Sequence, residues 1–453
     1  MSSFPSAQFN TRFDTYRFMV GMFIPPGNPP DFSIKPTNPM IFLSDSVDEI
    51  SITSEITSPI PTATIQITDR IGAMSNFVGK NNVYCQIMFA LHLNPKLEFG
   101  GEINETMAIN HVFCVDKIDL IRHTLISDTF KIELTSINSL FLSQNISYVC
   151  NNLTPIQALK DLASKANINI YVPRELLSVG ENGEGKLSFV SHSNSTILES
   201  ISYVISSGFI ITDGPIFCTY DFVKNAIVIS SRKAFADSFF FDQNQTSGSK
   251  AVRNTGFIST TSNSMFDRIL ISSLSVINHE SIGKLQYLSR KFSNFEFDFD
   301  NGYWFKEELT GEQIYKNLST VENNIVLKNK ITPWIPKGTS PENIDTLIYN
   351  SDIVKSLVDF KDKLYDINAS FFLHSNPVQI STVEGHVRRT PGDPFLITTN
   401  FNDESNLSSK MFVGPWTVIR VTHKIVPSGG EYSNDLVLAR NEVITSSKLI
   451  KNT

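Results

Sequence analysis

Residues 51–70 read SITSEITSPIPTATIQITDR, and the alternation in this stretch decides the fold class. Side chains of an extended chain point to opposite faces in turn, so Ile52, Ser54 and Ile56 share one face and Thr53, Glu55 and Thr57 the other. After Ser58-Pro59-Ile60-Pro61, read as a turn because its prolines fix φ and lack amide donors, Ala63, Ile65 and Ile67 oppose Thr62, Thr64, Gln66 and Thr68. This is a pair of strands with one apolar face and one face of Thr, Gln and Glu. The apolar face requires a core, and the polar face is left to meet water or another chain.

The same reading extends outward. Val83–Leu91, Ala108–Arg122 and Asp128–Ile137 are strand-like and separated by Asn-, Gly- and Lys-rich turns, which suits a small barrel or sandwich. At Asn151 the period changes. Thr154-Pro155-Ile156-Gln157 joins an N-cap threonine, a proline at the first helical position and a capping-box glutamine, which predicts a helix over 155–166. Thr196-Ile197-Leu198-Glu199 repeats the box and predicts a second helix, with Gly208 as its stop. Strands are expected near 168–172, 209–212 and 226–231, and FDQNQTSGSKAVRNTG (241–256) is the most linker-like stretch. Strands return in RILISSLSVI (268–277) and KFSNFEFDFD (291–300), and a helical region follows from Ser340 and Pro341 to about 366. A closing meander comprises Phe371–Val387, the turn TPGDP (390–394), Phe395–Thr399, Trp416–Ile425 and Ser433–Arg440.

A chain of 453 residues exceeds the roughly 250–300 at which one core stops growing. Four parts are expected: a β-barrel-type domain at 1–148, an inserted α/β domain at 149–250, a mixed strand and helix region at 251–366, and a second β-barrel-type domain at 367–453. The fold class is mainly β with α/β insertions, two similar β units bracketing a mixed middle.

Composition narrows the function. The formal charge of −7 carries no long block of one sign, which argues against a basic surface that neutralises phosphates. Cys85, Cys114, Cys150 and Cys218 have neither zinc-ligand spacing nor the density of a disulfide framework, so four reduced thiols are expected. The N-terminal stretch lacks the apolar core of a leader and no window reaches the roughly 18 apolar residues of a membrane span, so folding in a cytoplasm is expected. The sequons at Asn145, Asn152 and Asn317 are what an Asn- and Ser-rich chain yields by chance.

No motif carries chemistry. GENGEGK (180–186) has the glycine and lysine spacing of a phosphate loop, but Leu187 stands where Ser or Thr should hold magnesium. Glu181 and Glu184 would repel phosphate, and KLSFVS reads as a strand where a helix N-terminus is needed. In FEFDFDNGYW (295–304), Glu296, Asp298 and Asp300 alternate with phenylalanines, which could serve glycoside cleavage or, with Asn301, calcium; an amphipathic strand with a solvated acidic face produces the same pattern. Histidines 92, 111, 123, 192, 279, 374, 386 and 423 form no pair at ligand spacing, and no Gly-x-Ser-x-Gly elbow occurs. No catalytic, cofactor-binding or metal-binding residue is assigned, and no cofactor is expected.

Three segments together resemble the baseplate hub proteins of contractile-tailed bacteriophages, which are related to the hub part of type VI secretion spike proteins. They are TATIQITDR (62–70), NLTPIQALKDLASKANI (152–168), and the end of the chain, STVEGHVRRTPGDPFLITTNF (381–401) with GPWTVIRVTHKIVPSGGEYSNDLVLARNE (414–442), where Val418 to His423 supplies a Val-x-x-x-x-His element. The resemblance implies two β-barrel tube domains per chain and a homotrimer whose pseudo-sixfold ring adapts a sixfold tail tube to a threefold central spike. It implies tail tube protein, central spike protein and other baseplate proteins as partners, no sequence-specific nucleic-acid binding although a genome can pass the lumen, and a place in the virion tail after assembly in the host cytoplasm. Residues 200–365 show no segment that aligns. Two readings from other classes stay open: a β-rich tail protein that binds host glycan or receptor, and an envelope-polymer hydrolase using carboxylates such as Glu296 and Asp298.

Overall fold

The computed structural model describes residues 7–11, 15–25, 40–92, 103–172, 187–191, 194–208, 216–231, 256–258, 271–276, 291–298, 303–310, 378–397 and 414–439. In the first part of the chain these form β1 (Ala7–Asn10), β2 (Thr15–Phe23), β3 (Ile41–Phe42), β4 (Val47–Glu55), β5 (Ser58–Asp69), β6 (Tyr84–His92), β7 (Ile103–His123) and β8 (Asp128–Ser136). Helix α1 (Asn138–Leu142), β9 (Val149–Leu153), α2 (Pro155–Ala166), β10 (Ile170–Tyr171), β11 (Leu187–Val190), α3 (Ile197–Gly208), β12 (Ile216–Asp221) and β13 (Ala226–Ser231) follow. The remainder supplies β14 (Gly256–Ile258), β15 (Ile271–Val276), β16 (Lys291–Asp298), β17 (Tyr303–Thr310), β18 (Val378–Thr382), β19 (Pro394–Ile397), β20 (Gly414–Val426) and β21 (Glu431–Ala439).

The fold is mainly β. One 14-stranded sheet dominates, in the order β1-β2-β6-β7-β8-β5-β4-β20-β21-β18-β15, with β3 on β2 and with β19 pairing both β14 and β20. The first eight strands and the last ones are therefore one continuous sheet, joined where β4 meets β20 antiparallel, from Arg420 opposite Glu55 to Ile425 opposite Ile50. The sheet curls enough that Tyr432 on β21 packs its ring 4.7 Å from Phe89 on β6 and 5.1 Å from Tyr16 on β2, centroid to centroid. At the β20–β21 turn, Gly430 has φ 63° and a Cβ there would lie 2.5 Å from the Asn10 carbonyl oxygen. Only glycine allows β1 to approach so closely.

Alternation places the core as the sequence reading expects. Ile50, Ile52, Ser54 and Ile56 are buried, as are Ala63, Ile65 and Ile67, while Glu55, Thr57, Thr62 and Gln66 are exposed. The prolines act differently from the expectation. The reversal falls at Ile56 and Thr57, and Pro59 and Pro61 are buried residues inside β5. They sit where the pairing shifts from Thr53 opposite Thr62 to Glu55 opposite Ser58, an irregularity that leaves their missing amide donors without a ladder bond to supply.

Both predicted helix starts are present. Thr154 and Gln157 form a reciprocal capping box at α2, 3.3 and 3.0 Å, and Thr196 and Glu199 do the same at α3, 3.1 and 2.8 Å. The strand over 226–231 is β13, and 168–172 contains β10. Strands β1, β2, β3, β9, β12, β14 and β17 and helix α1 were not expected individually. The 209–212 strand, the 241–255 linker and the 340–366 helical region lie outside the described residues. A main core spans the first β unit and the α/β elements, and a second gathers Val378, Ile380, Phe395, Trp416, Val418, Val421, Leu436 and Leu438.

Candidate assembly face

In an antiparallel sheet, residues directly opposite one another point to the same side. Following register across eight strands gives one rung: Ser273 (β15), Ser381 (β18), Asp435 (β21), Thr422 (β20), Thr53 (β4), Thr62 (β5), Thr135 (β8) and Cys114 (β7). The next rung, Lys424, Ser51, Thr64, Glu133 and Lys117, is also polar. A third runs Glu49, Gln66, Lys131 and Asp119. Rungs of the opposite face are the core: Ile50, Ile65, Ile132 and Ile118, for example.

Local pairing satisfies this polar face. Thr53 and Thr422 share a hydrogen bond of 3.0 Å, Thr68 donates to Asp48 at 2.6 Å, and Thr135 and Ser381 donate to Asp116 and Asp435. Lys131 lies 2.8 Å from Glu133, Lys117 2.8 Å from Asp119, Lys424 3.6 Å from Glu49 and Arg420 3.8 Å from Glu55. These pairs are partly exposed, so each adds little stability. Their consequence is electrostatic: these four cations are compensated in place, and a compensated hydroxyl face has little with which to hold a phosphate backbone.

Buried polar groups fasten the other parts to this sheet. Thr219 on β12 donates to the Glu55 carbonyl at 2.8 Å. His111 on β7 is bonded through Nε2 to Ser136 Oγ at 2.6 Å and through Nδ1 to Tyr220 OH at 3.3 Å, and burial pushes its pKa down to about 4. Near the junction, Asn434 Nδ2 donates to His423 Nδ1 at 3.0 Å, with Tyr432 OH also at 3.0 Å, and burial lowers the His423 pKa to about 3. Val418 and His423 are five positions apart and would face opposite ways in a regular strand. A register shift between Val418 and Arg420 turns both inward, where both are fully buried. The Val-x-x-x-x-His element is thus core packing. Asp69, which closes the TATIQITDR stretch, accepts from the amides of Ile71, Ala73 and Met74 at 3.1, 3.1 and 2.8 Å and so anchors the turn after β5.

The carboxylates of FEFDFDNGYW lie on β16, with Glu296 opposite Phe305 and Asp298 opposite Tyr303 on β17; Asp300 and Asn301 are outside the described residues. GENGEGK is outside them as well, but Leu187 begins strand β11, so the chain does not continue from it into a helix. His111, His123 and His423 serve separate contacts, with Ser136, Asp128 and Tyr432; His192, His279 and His374 are not described. Among the described residues no group of three or more His, Cys, Asp or Glu converges as a metal site would, the four cysteines are free thiols, and no helix is long and apolar enough to cross a membrane. The eight-strand rung itself was not legible in the sequence, because its members are spread from position 53 to 435.

Among solved structures, this chain is similar to two tail proteins and a type VI secretion component, at low identity. The likeness spans nearly the whole chain. A tail protein from Neisseria meningitidis MC58 is 9% identical over 94% of this chain and 97% of its own, with a TM-score of 0.45. The 43 kDa tail protein of prophage MuSo2 from Shewanella oneidensis is 10% identical over 94% of this chain and 100% of its own, with a TM-score of 0.48. The E. coli c3393 protein, described as a type VI secretion component similar to the T4 tail proteins gp27 and gp5, is 8% identical over 88% of this chain and 74% of its own, with a TM-score of 0.40. No family model and no curated protein matches the sequence.

Proposed function

We propose that the chain is the structural hub of a phage tail baseplate, a ring-forming homotrimer without catalytic activity that adapts a sixfold tail tube to a threefold central spike. The observation that carries this reading is the eight-strand polar rung from Ser273 to Cys114, which crosses from C-terminal to N-terminal strands at Thr422 and Thr53 without a break. A chain whose early and late strands share one sheet presents two β units side by side, so three copies present six. The units at 1–148 and 367–453 would be the tube-type domains, with the parts at 149–250 and 251–366 inserted between them. The polar face would line the ring, where its compensated charges let a genome pass without sequence-specific contact. The tail tube, central spike and other baseplate proteins are then the partners, and the virion tail the location.

Negative-stain imaging of the purified chain tests this directly. A three-lobed or pseudo-sixfold ring with a central hole is the expected result. A compact monomer that stays monomeric when spike and tube proteins are added would overturn it.

A further inference from the structure

Asp393-Pro394 is the one Asp-Pro bond in the sequence, and it opens β19. The Asp393 side chain is buried, 8% exposed. Thr390 donates to it twice, from its amide to Oδ2 at 3.0 Å and from Oγ1 to Oδ1 at 3.2 Å. The charged groups that face it are Arg389, whose Nη1 is 3.9 Å from Oδ2, and Asp221 on β12. Burial outweighs the arginine and raises the carboxyl pKa to about 6, so the acid form persists at mildly acidic pH. The carbonyl oxygen of Asp393, which belongs to the bond with Pro394, accepts from the Val418 amide at 2.9 Å, and the Gly392 amide donates to the Val418 carbonyl at 2.7 Å. The carbonyl of the bond is therefore polarised by the Val418 amide, the preceding turn is pinned to β20 through Gly392, and the residue's own carboxyl is shielded from water.

We infer that Asp393-Pro394 is a self-cleavage site, at which the Asp393 side chain severs its own peptide bond in the folded protein. One Oδ attacks the Asp393 carbonyl carbon and closes a five-membered anhydride as the C–N bond to Pro394 breaks. The carboxyl proton passes to the proline nitrogen, which leaves as a secondary amine. Water then opens the anhydride and leaves Asp393 with free α- and side-chain carboxyl groups. The Val418 amide favours the step by binding the oxygen on which charge develops. The cut leaves the C-terminal strands in place, because β20 remains paired with β4, β19 and β21.

The test is intact-mass measurement of the full chain held at about pH 5 and about pH 8, folded and in urea. Expected is a pair of fragments ending at Asp393 and beginning at Pro394, formed roughly tenfold faster in the folded chain at the lower pH than in the unfolded chain at that pH. Equal or slower cleavage in the folded chain, or no fragment, overturns the inference. Asp393→Asn should abolish the fragments. Pro394→Ala, which keeps the carboxyl and its contacts, should do so with an unchanged circular dichroism spectrum, and fragments from that variant would also overturn it.

Discussion

Thr53 and Thr422 stand 369 positions apart in sequence and share a hydrogen bond of 3.0 Å across the seam between β4 and β20. Below them, on the core side of the same seam, Ile50 and Ile425 face each other and both are fully buried. The polar half of the seam forms the candidate assembly face, and the apolar half supplies its stability. Ile50→Ala and Ile425→Ala should each lower the unfolding free energy by about 2–5 kcal/mol, through lost transfer energy and a residual cavity. Thr53→Ala should cost about 1 kcal/mol. Urea denaturation of the three variants checks the order, and a larger loss at Thr53 than at Ile50 would contradict it.

Three histidines make the fold sensitive to acid. Burial lowers His111 and His386 to about 4 and His423 to about 3 from an ordinary value of 6.5. A depressed histidine pKa means the folded state prefers the neutral ring, so its contribution is complete above about pH 6.5 and is lost as pH falls through 4 and 3. The melting temperature should therefore decline over that window. His111→Gln, His386→Gln and His423→Gln should each flatten the decline relative to the parent chain; parallel profiles for all three would remove histidine as the cause.

Asp69 is 5% exposed and receives three backbone amides within five residues. Asp69→Ala orphans those donors and should destabilise by about 2–4 kcal/mol. Asp69→Asn keeps an acceptor oxygen and should lose less. Thermal unfolding of the pair separates the two, and equal losses would mean that charge alone matters there.

Gly385 packs against the Tyr432 ring so closely that a Cβ would lie 2.6 Å from Cζ. Tyr432 cannot retreat, since its ring already meets Phe89 and Tyr16. Gly385→Ala should therefore cost about 1–3 kcal/mol by overpacking. A variant as stable as the parent would show that the loop from Val383 to Asp393 shifts freely.

The sequence by itself determined what depends on near neighbours. The two faces of β4 and β5 follow from a period of two, and the starts of α2 and α3 follow from capping boxes four residues long, because these interactions are complete within one turn or one strand. β2 carried a weaker signal: nearly every residue of TYRFMVGMF is buried, so no polar alternation marks it. Only the tertiary structure decided where Pro59 and Pro61 lie, since an irregular pairing is a property of two strands together. The inward turn of Val418 and His423 was settled in the same way, by one extra residue in β20. The junction of β4 with β20, and with it the polar rung, depends on pairing between segments hundreds of residues apart. Alternation tells each strand which face is apolar but not which edge it joins, because every strand edge offers the same backbone donors and acceptors.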